Sequence, residues 1–244
     1  MLFRSPFKYY QNNVVNSIQL FNAMESAGVK KIVFSSTCAT YGNPQYTPID
    51  EAHPQEPVNV YGQTKLMLEK ILKSLSETIG WTYVALRYFN AAGAHHKISI
   101  GESHHPETHL IPLVLQAAKG EIDAVQINGS DYETKDGTCI RDYIHVLDLA
   151  TAHHAAIDHL TSGEKSLCVN LGTAYGASVM DVINVSRSVT GKDIKVNYGP
   201  RRSGDPAALV ADYSRASSVL SWKPAHDLEN IISTAWAWEQ IRGF

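Results

Sequence analysis

A tyrosine and a lysine four residues apart, Tyr61 and Lys65, stand at the start of a helical stretch of the chain. Residues with this spacing lie one above the other on a single face of a helix. That face continues with the apolar residues Leu68, Ile71, Leu72, Leu75 and Ile79. The pattern predicts that Tyr61 and Lys65 both turn inward, where a lysine is rarely found.

An inward lysine beside a tyrosine suggests acid–base chemistry. At about 4 Å and an effective dielectric of ~20, an ammonium favours a phenolate by about 4 kcal/mol, or roughly three pKa units. Lys65 would then lower the pKa of Tyr61 and make its phenol a usable base near neutral pH. The alternative is a first helical turn that happens to carry a tyrosine and a lysine whose charged end reaches solvent. These two residues leave both interpretations open.

Hydroxyl side chains end the strand predicted before this helix, at Ser35, Ser36 and Thr37. Ligand-binding groups of open α/β sheets collect at the carboxyl ends of the strands. A hydroxyl there could share a substrate proton with Tyr61, although serine and threonine also commonly begin loops. The next predicted strand ends in Arg87-Tyr88-Phe89-Asn90, and the three features together are much less expected by chance than any one of them.

Arginines form a second group of candidate binding residues. Arg141 lies within the predicted strand 139–145, and Arg201 and Arg202 follow a Gly-Pro turn, shortly before Asp205. Guanidinium groups suit a diphosphate because their donors are planar and permanently charged. Asp205 could accept hydrogen bonds from ribose or sugar hydroxyls. The alternative is surface ion pairing, which we favour for Arg201 but not for an arginine held in a glycine-bounded turn.

Helical and strand patterns alternate along the chain and predict an α/β fold with a parallel sheet. Asn90 begins a predicted loop that runs to residue 106, and an Asp136-Gly137 turn separates two strands. Predicted helices are 7–27, the helix of Tyr61 up to Gly80, 110–119, 146–160, 179–189, 214–220 and 228–241. Predicted strands are 31–35, 82–88, 125–128, 139–145, 167–171 and 194–198.

The composition excludes several classes of protein. The chain has 244 residues, 44% of them hydrophobic and 18% charged, which is typical of a globular domain with a substantial core. A net charge of -3 without a basic cluster argues against a nucleic-acid partner. No apolar run approaches the ~18 residues needed to cross a membrane, and no secretory signal is visible. Three distant cysteines indicate a reducing compartment and predict a cytoplasmic location.

The eleven histidines invite a metal hypothesis. Three adjacent pairs occur, His95-His96, His104-His105 and His153-His154. Adjacent side chains point in different directions rather than converging on one ion, and there is no His-Glu-x-x-His motif. The sequence therefore predicts no metal site.

An ordered set of motifs resembles the UDP-glucose 4-epimerase family, within the extended short-chain dehydrogenases/reductases. Tyr-x-x-x-Lys marks only the superfamily, whereas the block from Asp136 to Val146 is much more particular to the epimerases. The resemblance runs from about residue 6 to the end of the chain. It rests on Tyr9-Tyr10-Gln11-Asn12-Asn13-Val14, Phe34-Ser35-Ser36-Thr37, Tyr61-Gly62-Gln63-Thr64-Lys65, Arg87-Tyr88-Phe89-Asn90, Asp136-Gly137-Thr138, Arg141-Asp142-Tyr143-Ile144-His145-Val146 and Arg202-Ser203-Gly204-Asp205.

This resemblance implies the fold and the roles of single residues. It implies an incomplete Rossmann-type parallel sheet (1–92 and 142–172) with a smaller C-terminal α/β domain that binds the UDP-sugar (93–141 and 173–244). The implied catalytic residues are Tyr61 as base, Lys65 as its pKa-lowering partner and Thr37. Contacts to bound NAD are implied for Asn12, Thr37, Tyr61, Lys65 and Phe89. Contacts to the UDP-hexose are implied for Thr37, Tyr61, Asn90, Leu110, Arg141, Arg202 and Asp205.

The implied reaction interconverts UDP-galactose and UDP-glucose. The C4 hydroxyl proton and the C4 hydride leave the hexose, the 4-keto sugar turns over about its diphosphate link, and the hydride returns on the other face. Related dehydratases carry an Asp-Glu pair after the active-site threonine, and related decarboxylases usually carry a Glu in the same loop. Cys38-Ala39-Thr40 supplies no carboxylate, which disfavours both activities. Leu209 aligns with a residue that borders the sugar pocket and would disfavour N-acetylhexosamines.

One motif of the family has no counterpart. The family opens with a strand, a Gly-x-x-Gly-x-x-Gly turn and a helix that receive the cofactor diphosphate, and the 244 residues contain no such motif. With ~30 residues per βαβ unit, roughly 80 to 100 residues lack a counterpart. We therefore expect an unpaired edge on the strand at 31–35, weak NAD binding and little or no activity of this chain alone.

Two alternatives to the epimerase hypothesis stay open. One is another NAD-dependent nucleotide-sugar epimerase or decarboxylase. The other is a non-catalytic chain that pairs through this edge, with itself as a homodimer or with a separate amino-terminal piece.

Overall fold

The computed structural model describes residues 5–202 and 204–242, with the backbone alone at His96. Ser203 of the Arg202–Asp205 motif therefore lies outside the described residues. Helices are α1 (Pro6–Tyr9), α2 (Asn16–Ser26), α3 (Val60–Ile79), α4 (Leu110–Lys119), α5 (Val146–Thr161), α6 (Val179–Thr190), α7 (Ser214–Leu220) and α8 (Leu228–Ile241). Strands are β1 (Lys31–Thr37), β2 (Thr82–Tyr88), β3 (Asn90–Ala92), β4 (Val125–Asn128), β5 (Ile140–His145), β6 (Leu167–Leu171), β7 (Gly176–Ser178), β8 (Val196–Gly199) and β9 (Ala208–Leu209).

Strands β1, β2 and β6 form a parallel sheet in that order. Its central strand β2 is buried on both faces, because helices cover a parallel sheet on each side. Tyr83 and Ala85 pack in a cluster with residues of α2 and α3, whereas Val84 and Leu86 pack with residues of α5 and α7. This arrangement confirms the predicted α/β class with a parallel sheet.

The start of helix α3 is fixed by two local features. The Asn59 side-chain oxygen accepts a hydrogen bond from the backbone N–H of Gly62 at 2.8 Å, a standard N-cap. A Cβ atom at Gly62 would lie 2.3 Å from the carbonyl oxygen of Ala39, so only glycine lets the helix approach the turn that follows β1. The first turn of α3 therefore packs directly against the carboxyl end of β1.

The second group of elements forms a separate core. Strand β5 pairs with β3, β7 and β9, and β4 pairs in parallel with β8. Apolar residues of α4, α6 and α8 pack together with those of β4 and β5 in one buried cluster. The domain boundaries given above stay a prediction, since this packing does not by itself divide the chain at those residues.

The structure has the strands predicted on either side of the Asp136-Gly137 turn, of which β4 pairs with β8. It corrects two other predictions of local structure. The predicted loop 90–106 contains the short strand β3, which pairs with β5. The predicted helix 7–27 is interrupted by the π-helical segment Tyr10–Val15. Strands β7 and β9, of three and two residues, were not predicted.

One edge of the first sheet has no partner strand among the described residues. Strand β1 pairs with β2 on one side, and no other described strand pairs with it. This arrangement agrees with the unpaired edge expected from the sequence. None of the helices within residues 5–202 and 204–242 combines the length and apolar character that a membrane crossing requires.

A buried ion pair joins α3 to the sheet. The Arg87 guanidinium of β2 donates three hydrogen bonds to the Glu69 carboxylate of α3, at 2.6 to 3.2 Å, and both side chains are about 95% buried. Arg87 also donates to the Tyr41 hydroxyl at 2.9 Å, and Ser36 of β1 donates to Glu69. Each polar group in this network has a partner, as burial requires.

Replacing Glu69 with glutamine keeps the size of the side chain but leaves the Arg87 charge buried without a counter-ion. We expect Glu69→Gln to lower the free energy of unfolding by about 3 to 5 kcal/mol, measured by urea denaturation. Glu77→Gln is the matched control, because Glu77 lies on the same helix in an exposed pair with Lys73. The control should change stability by less than ~0.5 kcal/mol, and an equally small effect of Glu69→Gln would contradict the prediction.

Candidate active site

Thr37 and Tyr61 meet where the carboxyl end of β1 faces the first turn of α3. Thr37 is buried and caps a short 3₁₀ turn, its hydroxyl accepting from the backbone N–H of Ala39 at 3.2 Å. Because Gly62 packs against the carbonyl of Ala39, the neighbouring Tyr61 is held close to this turn, and the Thr37 side chain lies near enough to lower the Tyr61 pKa. The structure thus brings these two predicted catalytic residues together.

Lys65 lies one turn further along the same face of α3 and is half-buried. Its ammonium donates a hydrogen bond to the backbone carbonyl of Ser35 at 2.9 Å. The same nitrogen lies 5.0 Å from the centre of the Phe34 ring and 5.8 Å from the centre of the Tyr61 ring. Burial lowers the pKa of Lys65. The inward orientation predicted for this lysine is therefore present.

The pKa of Tyr61 moves in the direction opposite to the predicted one. Burial raises this pKa above its ordinary value, and the nearby Thr37 side chain only partly opposes the rise. The predicted lowering assumed an ammonium about 4 Å away, whereas the Lys65 ammonium is drawn toward the Ser35 carbonyl. Loss of hydration therefore dominates at Tyr61, since it disfavours the charged phenolate.

A cavity of about 520 Å³ extends from Tyr61 toward the second group of elements. This volume is within the range of pockets that hold small-molecule ligands. The predicted site residues that line the cavity are Tyr61, Phe89, Asn90, Leu110, Arg141, Arg202 and Asp205. Thr37, Lys65 and Asn12 do not line it. Thr37 and Lys65 lie behind Tyr61, and Asn12 is exposed on the π-helical segment.

The other end of the cavity carries two arginines. Arg141 of β5 is 12% exposed and donates to Asp205 at 2.8 Å and to the backbone carbonyls of Ile140 and Pro206. Arg202 is exposed at the cavity wall. Arg201 instead pairs with Asp131 at 2.7 Å and stacks on the Tyr132 ring, as expected for a surface ion pair. Fixed cations at this end could bind a diphosphate.

Several further residues line the cavity without having been predicted as site residues. Tyr88 belongs to the Arg87–Asn90 motif, so its place beside Phe89 was a usable signal. Glu102 and Trp238 come from a predicted loop and from the last helix, and no local pattern indicates that these distant segments meet. They do meet because the Trp238 ring N–H donates to the backbone carbonyl of Glu102 at 2.9 Å.

The chain matches a known protein family and its characterised members. Residues 3–172 match the NAD dependent epimerase/dehydratase family. The chain belongs to this family. A UDP-glucose 4-epimerase of Lacticaseibacillus casei is 50% identical over 238 residues, which are 97% of this chain and 72% of that protein.

Two solved epimerase structures resemble the fold closely. The structure of UDP-glucose 4-epimerase from Brucella ovis in complex with NAD gives a TM-score of 0.93 at 46% identity, covering 96% of this chain and 72% of that one. The Bifidobacterium longum enzyme in complex with NAD⁺ and UDP gives 0.91 at 41% identity, covering 96% and 71%. The predicted membership of the epimerase family and the Rossmann-type fold are thereby confirmed.

The effect of the Thr37 hydroxyl on the pKa of Tyr61 can be tested by titration. We expect Thr37→Val to raise the pKa of Tyr61 further, because the hydroxyl that opposes the effect of burial is lost. Nuclear magnetic resonance of the chain carrying ¹³C at the tyrosine Cζ atoms measures this pKa, with Tyr61→Phe to assign the signal. Thr40→Val is the control, since the buried Thr40 hydroxyl bonds to the Thr37 carbonyl. An unchanged or lower pKa in Thr37→Val would refute the assignment.

Proposed function

We propose that this member of the NAD-dependent epimerase/dehydratase family acts as a UDP-glucose 4-epimerase, which interconverts UDP-galactose and UDP-glucose. The observation that carries the proposal is that one cavity has a half-buried tyrosine, Tyr61, at one end and the cations Arg141 and Arg202 at the other. A UDP-hexose needs both ends, since its sugar hydroxyl reacts while its diphosphate is held by positive charge. The epimerases named above support the same substrate class.

The residues at the Tyr61 end suit the nicotinamide and ribose end of NAD. Tyr61 and Lys65 offer a hydroxyl and an ammonium donor, and Phe89 contributes a buried apolar wall. We propose that Thr37, Tyr61, Lys65 and Phe89 hold this end of the cofactor, with Asn12 as a more distant contact. NAD, when bound, supplies the acceptor and donor for the hydride at C4.

The chain itself supplies the proton chemistry and the positioning. We propose that the Tyr61 phenolic oxygen exchanges a proton with the C4 hydroxyl of the hexose, and that the Thr37 hydroxyl holds Tyr61 in place. The Lys65 ammonium is held by the Ser35 carbonyl and lies 5.8 Å from the centre of the Tyr61 ring, where it is placed to bind the cofactor ribose. Asn90 and Leu110 border the sugar, and Arg141, Arg202 and Asp205 hold the nucleotide end.

The turn at residues 38–40 supports epimerisation over the reactions of related enzymes. Eliminating water or carbon dioxide from a 4-keto sugar needs an acid–base group beside Thr37, and Cys38, Ala39 and Thr40 have no carboxylate. Burial raises the pKa of the Cys38 thiol to about 12, so this thiol stays neutral near pH 7. A cytoplasmic location and a homodimer stay proposals; the free thiols of Cys38, Cys139 and Cys168 support the former.

Removal of the Tyr61 hydroxyl tests the catalytic role. With NAD supplied, Tyr61→Phe should lower kcat for conversion of UDP-galactose to UDP-glucose by about 10²- to 10⁴-fold, the usual contribution of a positioned acid–base group. The affinity for UDP should stay unchanged. Tyr175→Phe is the control, because Tyr175 is 83% exposed. A wild-type kcat in Tyr61→Phe would contradict the proposed role of Tyr61. The proposed activity would be contradicted by a wild-type chain that binds NAD and UDP but does not turn over, whereas lack of turnover without NAD binding would agree with the weak cofactor binding expected for this chain.

The same assay has an expected pH dependence. Because burial raises the pKa of Tyr61, the fraction of phenolate that can accept a proton is small near neutrality and grows as the pH rises. We therefore expect kcat to increase between about pH 7 and about pH 9. A kcat that falls over this range would show that Tyr61 is not the base.

Paired arginine substitutions test nucleotide binding without turnover. Arg202→Met should weaken UDP binding by about 10- to 100-fold, because a hydrogen bond to a charged group contributes about 1.5 to 3 kcal/mol. Arg201→Met is the matched control, since Arg201 is adjacent but pairs with Asp131. Titration calorimetry measures both, and equal losses in the two variants would contradict the assignment of Arg202. Calorimetry with NAD, with and without UDP, tests the expectation of weak cofactor binding by this chain.

A further inference from the structure

Two histidines and two glutamates converge in the segment between Gly101 and α4. Glu102, His104, Glu107 and His109 each offer one ligand atom, and these four atoms lie within 4.8 Å of one another. We call them the 102–109 cluster. The structure brings together His104 and His109, which are not adjacent in sequence, so the reasoning from adjacent histidine pairs could not detect them.

The spacing of the ligand atoms is close to that of a tetrahedral metal site. The His104 Nδ1 atom lies 2.9 Å from a Glu102 carboxylate oxygen and 3.7 Å from the Oε1 atom of Glu107. The His109 Nδ1 atom lies 3.9 Å from the same Glu107 oxygen and is hydrogen-bonded to the Glu102 carboxylate, a bond that a shared metal ion would replace. Zinc bonds of about 2.0–2.1 Å in a tetrahedron place neighbouring ligand atoms ~3.3 Å apart.

The charge of the cluster favours a divalent cation. Among the described residues, the ion-pair partners of Glu102 and Glu107 are the two imidazoles alone, and no lysine or arginine pairs with them. The Glu107 side chain is only 5% exposed. The two carboxylates carry a formal charge of about -2, which one divalent ion would neutralise.

The positions of the ligands are fixed by the surrounding backbone. A Glu107 oxygen accepts from the backbone N–H groups of Thr108 and His109 at 2.6 and 2.8 Å, which keeps this carboxylate beside the histidines. The Trp238 ring N–H holds the Glu102 carbonyl at 2.9 Å. Supported ligands of this kind need little rearrangement to bind a metal.

We propose that Glu102, His104, Glu107 and His109 bind one Zn²⁺ ion. Mixed imidazole and carboxylate donors suit zinc among the common divalent ions, and four protein ligands leave no open position for a reacting group. The ion is therefore structural. Because Glu102 and His109 also line the cavity, the ion fixes this segment against α8 and forms part of the cavity wall. The proposal departs from the sequence-based prediction of no metal site and does not depend on the proposed activity.

Zinc binding to the chelator-treated 244-residue chain tests the proposal. Calorimetry should show one Zn²⁺ site, and Co²⁺ added instead should give the intense visible absorption of a tetrahedral complex. Thermal unfolding should shift to higher temperature with Zn²⁺, since an ion that binds only the folded state stabilises it. Weak or non-stoichiometric binding, or an octahedral Co²⁺ spectrum, would overturn the proposal.

Matched substitutions separate this site from other surface histidines. His104→Asn and Glu102→Gln should each weaken Zn²⁺ binding by about 10- to 100-fold and abolish the Co²⁺ absorption. His105→Asn is the control, because His105 is adjacent and exposed but is not part of the cluster. Far-ultraviolet circular dichroism without metal checks that each variant folds, and His104→Asn is well tolerated by position since its side chain is 51% exposed. Equal losses in His104→Asn and His105→Asn would refute the site.

Discussion

The ion pair between Arg87 and Glu69 fixes how helix α3 sits on the sheet. Both groups are buried and must remain hydrogen-bonded, because an unpaired charge in the interior is strongly unfavourable. Glu69 lies four residues beyond Lys65 and eight beyond Tyr61, so all three share one face of the helix. Once Glu69 is held by Arg87, the rotation of α3 is set, and the other two side chains must face the carboxyl end of β1.

The same pairing leaves the Lys65 charge available at the site. Glu69 is one turn away and could have neutralised Lys65, yet its oxygens are taken by Arg87 and Ser36. Lys65 instead donates to the Ser35 carbonyl, which holds the ammonium in place without cancelling its charge. Burial raises the pKa of Tyr61 and lowers the pKa of Lys65, so the neutral form of each group is favoured.

The sequence predicted best what depends on local periodicity. Both ends of β2, α4, α7 and α8 were predicted as observed, since their apolar patterns, and for α4 the following Gly120, are local signals. Strands β7 and β9 are too short to show a period, and their pairing with β5 depends on residues that are distant in the chain. The Asp136-Gly137 turn is present, but the partner of β4 is β8, about 70 residues later in the chain, and a pairing over that distance has no local signal.

For the site, residue identities were easier to predict than their electrostatics. Seven of the predicted residues line one cavity, although they come from helix starts, strands and a loop that are distant in the chain. The predicted direction of the Tyr61 pKa shift was wrong. Helical spacing predicts the face on which Tyr61 and Lys65 lie, but it does not predict that the Lys65 ammonium donates to the Ser35 carbonyl. The contact of Trp238 with Glu102 was likewise invisible, because 136 residues separate the two.

Strand β5 uses a buried carboxylate in the way that α3 does. The Asp142 carboxylate accepts from the backbone N–H groups of Thr173, Ala174 and Ala211 at 2.8 to 3.1 Å. Side chains alternate along a strand, so anchoring Asp142 on one face directs Arg141 and Tyr143 to the other, where both line the cavity. A slip of one residue would exchange these faces and leave a carboxylate where Arg141 lines the cavity. In each half of the molecule, a buried carboxylate thus determines where a nearby cation points, Glu69 for Lys65 and Asp142 for Arg141.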